Sequence, residues 1–151
     1  MSGLAWPMLT PPRPLQVWRS WNWELRRPVD LTRYRQQLRA EALPAGRSPE
    51  DSDADEAAVE RLLLIFEELA SNGVRHGLPP VFTTVTGALT GWLIDVTDAD
   101  PRDEPVPAVD RDPAHGGLGL HLIARLCAAH GWAPEDGRKH VWGFVSLTGV
   151  D

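Results

Sequence analysis

Apolar and polar residues alternate with period two from Gln16 to Leu25, where Val17, Trp21, Trp23 and Leu25 hold the odd positions. That period predicts a strand, with Trp21 and Trp23 on one face and Trp18 on the other. Pro28 and Asp30 suit a helix start, and Leu31, Tyr34, Leu38 and Ala42 then fall on one face of a helix running to about Leu43. The strongest periodic signal runs from about Ala54 to His76. Val59, Leu62, Leu63, Phe66, Leu69, Ala70 and Gly73 trace a stripe at helical spacing, acids precede it, and Gly77 suits a C-terminal cap.

Val81–Leu89 and Trp92–Asp98 read as two strands joined by a Thr-Gly turn, an antiparallel hairpin. Residues 98–115 hold four prolines and six acids with few apolar positions, a loop long enough to suggest function. A helix is predicted from Gly119 to His130 and stopped by Gly131. A short strand from Trp132, a turn at Asp136-Gly137 and a last strand from Lys139 to Leu147 follow. Grouped strands and helices in this order predict an α+β fold, a two-layer sandwich whose mixed or antiparallel sheet carries helices on one face. Pro7, Pro11, Pro12 and Pro14 make residues 1–14 a flexible, extended lead-in, and residues 15–151 the folded domain.

With 151 residues the chain can bury a core without staples, and its single cysteine, Cys127, excludes an internal disulfide and a cysteine zinc site. Cys127 is expected as a small buried residue. Residues 1–46 carry a net charge of +4 and the remainder −10. So acidic a body argues against nucleic acid as a partner. No apolar run is long enough to span a bilayer and no secretory signal opens the chain, so a cytoplasmic setting is expected.

Three constellations bear chemistry. Glu68 and Asn72, four apart, stand about 40° apart around a helix, offering a base and a hard oxygen ligand for Mg²⁺; a solvated polar edge is the plain alternative. Asp98 ends an apolar strand, where it could accept from an exocyclic amine or serve only as a turn residue. His115-Gly116-Gly117-Leu118-Gly119-Leu120 opens a helix, where glycines let amides approach phosphate. It fits neither the dinucleotide-binding fingerprint nor a Walker-type loop.

The ordered set Glu-Leu-x-x-Asn-x-x-x-His-Gly, the strand-ending Asp98 and Gly-Gly-Leu-Gly-Leu-x-Leu-Ile resembles the GHKL ATP-binding family, the Bergerat fold of histidine kinases and gyrase. It is more similar still to the anti-sigma-factor serine/threonine kinases of bacterial partner switching, and the ending Gly137-Arg138-Lys139-His140-Val141-Trp142 resembles their small actinobacterial members. The resemblance, covering about Val17 to Leu147, implies ATP and Mg²⁺ as cofactors. It makes Glu68 the general base and Asn72 the Mg²⁺ ligand, and has Asp98 bind the adenine amine. Gly116, Gly117, Gly119 and Leu120 would meet the phosphates, and residues 99–115 would form the ATP lid. The implied partners are a sigma factor and a small antagonist protein.

Two positions depart from the family's pattern. Asp100 stands where Asp-x-Gly has glycine, a carboxylate that would crowd the base. His140 aligns with a threonine that helps hold adenine from the last strand. Both favour the alternative, a non-catalytic interaction module that sequesters a regulator. A detached ATP-binding domain serving a histidine kinase is a third reading. Arg75 is expected to be a surface arginine rather than a phosphate or partner contact, and the histidines to hold surface or capping roles. Trp18, Trp21 and Trp23 are expected to pack the first strand; left exposed, they would instead mark a homodimer or partner surface.

Overall fold

A computed structural model describes residues 6–102, 105 and 118–148. Its elements are β1 (Val17–Leu25), α1 (Pro28–Glu41), α2 (Ser52–His76), β2 (Val81–Ala88), β3 (Gly91–Asp98), α3 (Leu118–Leu126), β4 (Ala129–Glu135) and β5 (Arg138–Ser146). The five strands form one sheet in the order β1-β2-β3-β5-β4, and every ladder between them is antiparallel. The fold is α+β, with the helices on one face of the sheet.

Local chemistry accounts for the elements. The Asp30 carboxylate accepts hydrogen bonds from the Arg26 and Arg27 amides, each at 3.0 Å, capping the start of α1. Those bonds hold its pKa below the ordinary carboxylate value. Asp55, buried in the first turn of α2, takes two hydrogen bonds from the Arg47 guanidinium, at 2.6 and 3.1 Å. Leu62, Leu63, Ile65, Phe66, Leu69 and Ala70 on α2 are all buried, so this helix is the centre of the core. Trp92 Nε1 donates to the Ala42 carbonyl at 2.9 Å and ties the end of α1 to the sheet. Asp136 and Gly137 both have positive φ, 54° and 76°, which suits the tight turn between β4 and β5.

The tryptophans of β1 pack inward. Trp21 is buried, and Trp23 stacks on Tyr34 with ring centroids 4.9 Å apart. Trp18, expected on the opposite face, meets Trp21 edge to face at 5.8 Å and lies against Gly87. An irregular register between Val17 and Arg19 breaks the alternation and swings it over.

Two boundaries differ from expectation. The last helix ends at Leu126 rather than His130, because the Ala128 amide already donates to the Phe144 carbonyl and starts β4. Gly131 lies within that strand rather than ending a helix; its missing side chain leaves room for Leu9, Pro7 and Trp142. Residues 6–9, placed by sequence in the flexible lead-in, are fastened. Met8 forms a parallel bridge with Trp132, Trp142 Nε1 donates to the Leu9 carbonyl at 2.7 Å, and Trp6 is buried against His130. Cys127 is buried beside Gly143, and burial pushes its thiol pKa up to about 12, leaving an inert apolar side chain.

Candidate functional site

Two close approaches between α2 and the sheet build the site. A Cβ on Gly73 would lie 2.7 Å from Val96 Cγ1 and 3.3 Å from Val81 Cγ1, so only glycine lets the helix descend onto β2 and β3. At the helix end the Gly77 amide donates to the Gly73 carbonyl at 2.8 Å. Gly77 has a φ of −82° and an extended backbone, so the left-handed cap is not what it supplies. A Cβ there would lie 2.7 Å from Asp98 Cβ, so its absence makes room for Asp98 under the end of α2. The Ala99 amide bonds the Leu78 carbonyl at 2.8 Å and fixes the junction.

Asp98 is 2% exposed. Its Oδ1 accepts from the Asp100 amide at 2.8 Å, and its Oδ2 is 3.5 Å from Lys139 Nζ. Lys139 is its register partner on β5 and is 6% exposed. Sequence reasoning assigned Lys139 no role, although a signal was there. On β5, Lys139, Val141, Gly143 and Val145 share a parity, and all four are buried. A lysine in phase with Val141 and Val145 belongs to the face turned toward the helices.

The same parity corrects the expectation for His140. That residue lies on the outer face, where Nδ1 is 2.8 Å from Asp95 Oδ2, and it is not beside Asp98. The hydrogen bond and charge of Asp95 raise its pKa, against partial burial. Asp100, expected to crowd the base, turns Oδ1 to the Arg102 amide at 3.0 Å, capping the chain as it leaves β3.

Further back along the C-terminal half of α2, the Glu68 carboxylate lies against the backbone of Gly119 in the first turn of α3, where an added Cβ would collide with its Oε2. Asn72 is one turn further along α2, half-buried like Glu68, between the Gly119 contact and the Gly77–Asp98 contact. The helix spans about 14 Å from Glu68 to Gly77. Leu120 has its side chain in the core, 2% exposed. Gly116, Gly117 and most of residues 99–115 lie outside the described residues. Arg75 is exposed and donates to Ser71 on its own helix, and Glu67 pairs with Arg35 at 3.4 Å.

A family model described as the histidine kinase-like ATPase domain matches residues 28–142, from the start of α1 into β5. The chain belongs to this family. As a GHKL-type ATPase domain it binds ATP and uses it in phosphotransfer or hydrolysis. No curated protein matches the chain. Among the described residues, no helix is long and apolar enough to cross a membrane.

The residues of this ATPase domain suit the groups that the family implies. Glu68 and Asn72 are oxygen donors of the hard type that Mg²⁺ prefers, and one amide ligand leaves sites for phosphate and water. The absent side chain of Gly119 lets the first turn of α3 come up to Glu68. Asp98 supplies a buried acceptor at the far end of the same helix.

Proposed function

We propose that this ATPase domain is an Mg²⁺-dependent serine/threonine protein kinase that acts as an anti-sigma factor in partner switching and phosphorylates a small antagonist protein. The observation that carries the reading is the Glu68 carboxylate held against Gly119 at the start of α3, with Asn72 one turn away. Phosphoryl transfer depends mainly on positioning and charge neutralisation, so a base, a metal ligand and aimed amides are sufficient.

Asp98 accepts a hydrogen bond from the adenine amine. The amides at the start of α3 face the phosphates. Asn72 would hold Mg²⁺, which when bound would supply charge to offset that of the phosphates. Glu68 takes the proton from a serine or threonine hydroxyl as its oxygen attacks the γ-phosphorus. The new O–P bond forms while the bond to the β,γ-bridging oxygen breaks, and ADP leaves.

The alternative, a non-catalytic module that sequesters a regulator, draws support from Lys139 already standing at Asp98. Incubating the chain with γ-labelled ATP and the proteins encoded beside it separates the readings. Acid-stable label on a serine or threonine of a partner is expected. Glu68→Ala lowers that transfer by about 10²-fold or more while keeping ATP binding, and Asn72→Ala weakens both. Capture of a partner without label transfer supports the module, and acid-labile label on histidine contradicts the serine/threonine assignment.

A further inference from the structure

We infer that Lys139 is an autoinhibitory latch on the base subsite. Its ammonium holds the side of Asp98 that is able to open, and a nucleotide base gains that carboxylate only as Lys139 swings away. The inference rests on the nucleotide reading of the site and adds how access to it is controlled.

Three neighbours hem in Asp98. Its Oδ1 takes the Asp100 amide at 2.8 Å. Gly77 stands against it, and a Cβ added there would lie 2.8 Å from Asp98 Cγ. Lys139, directly opposed in the β3–β5 ladder, brings Nζ to 3.5 Å from Oδ2, and Asp98 is left 2% exposed. Gly77 and Asp100 meet Asp98 with backbone. The Gly77 amide is tied to the Gly73 carbonyl and the Ala99 amide to the Leu78 carbonyl, so neither retreats without opening the end of α2 or the junction after β3. Lys139 meets Asp98 with a side chain, an ammonium on a flexible four-carbon stem. It follows the exposed Asp136-Gly137 turn by two residues, so the stem can carry its charge out to water at that end of the sheet.

Charge decides which partner Asp98 keeps. A hydrogen bond from an ammonium to a carboxylate is about twice as strong as one from a neutral amine. An adenine amine alone therefore loses to Lys139. A whole nucleotide displaces it by adding the contacts of its phosphates at the start of α3. Until then the latched state lowers apparent affinity in proportion to the fraction of molecules that stand open.

The chain has a single lysine, so a lysine-labelled sample of the full protein carries one side-chain ammonium signal. In the free wild type its protons are expected to exchange slowly with water, and saturating MgATP to speed that exchange by about tenfold or more. Calorimetry on Lys139→Thr, which removes the stem and its charge, is expected to show ATP bound about tenfold or more tighter than by wild type, with melting curves as the check on folding. Fast exchange in the free chain, or exchange unchanged with MgATP bound, overturns the latch whether or not the variant folds. So does a folded variant that binds ATP no better than wild type. A wild type that binds no nucleotide supports the latch where Lys139→Thr does bind. Where neither binds, the nucleotide reading itself falls, and this inference with it.

Discussion

Lys139 and Asp98 oppose each other across the β3–β5 ladder, Nζ 3.5 Å from Oδ2, with both side chains almost wholly buried. Two charges so placed have given up their hydration, and their attraction offsets that cost only while both are present. Asp98→Asn keeps the shape and removes the charge, leaving a buried ammonium with that counter-charge gone. The expected loss is about 3–5 kcal/mol of unfolding free energy in urea. A loss within the few tenths of a kcal/mol of an exposed pair would contradict the buried-pair description.

Trp6 makes a second prediction, because it lies in a segment that composition describes as a loose leader. It is 3% exposed and meets the His130 ring at 4.7 Å. Trp6→Ala is expected to cost about 3–5 kcal/mol, as for other large buried aromatics. Its indole nitrogen is buried with no hydrogen-bond partner among the described residues, so Trp6→Phe, which removes that donor and keeps most of the ring, should cost much less. Denaturant midpoints of the two variants check this; equal losses would contradict it.

Periodicity made the architecture legible. The stripe on α2 and the alternation in β2, β3 and β5 set which faces turn inward, and the antiparallel hairpin follows from its turn. What was not legible depends on contacts between distant segments. Nothing local to Met8 or Leu9 says that Trp132 and Trp142 await them, and nothing local to Trp18 announces an irregular ladder. His130 and Gly131 read as a helix end because a helical stripe runs up to them, whereas they pair with Gly143 and Trp142 across the β4–β5 hairpin.

The site was legible to the same extent. Glu68, Asn72, Asp98 and Gly119 stand out by type and spacing, and the structure places them along one helix and its two neighbours. The family motif points to His140, whereas the strand's own parity assigns Lys139 to the Asp98 side.

His140 gives the pH prediction. The hydrogen bond to Asp95 raises its pKa, Glu135 adds to that rise, and partial burial and Arg138 oppose it. A raised folded-state pKa contributes stability fully present below the unfolded value of about 6.5 and lost as pH rises through the folded value. The stability difference between wild type and His140→Gln should therefore be largest below that range and shrink on the alkaline side. His130, whose pKa burial lowers, trends the opposite way and cancels when the variant is compared with wild type. Melting temperatures on both sides of neutrality check this; a difference that grows with pH would contradict it.

The central claim is that a nucleotide lies along α2 between Asp98 and the start of α3. Amide NMR spectra recorded while MgATP is added test this most directly. The account predicts saturable shifts at Asn72, Asp98 and Gly119, with the outer-face residues Thr84 and Asp95 little changed. No shifts at millimolar nucleotide, or shifts confined to the outer face, would contradict it.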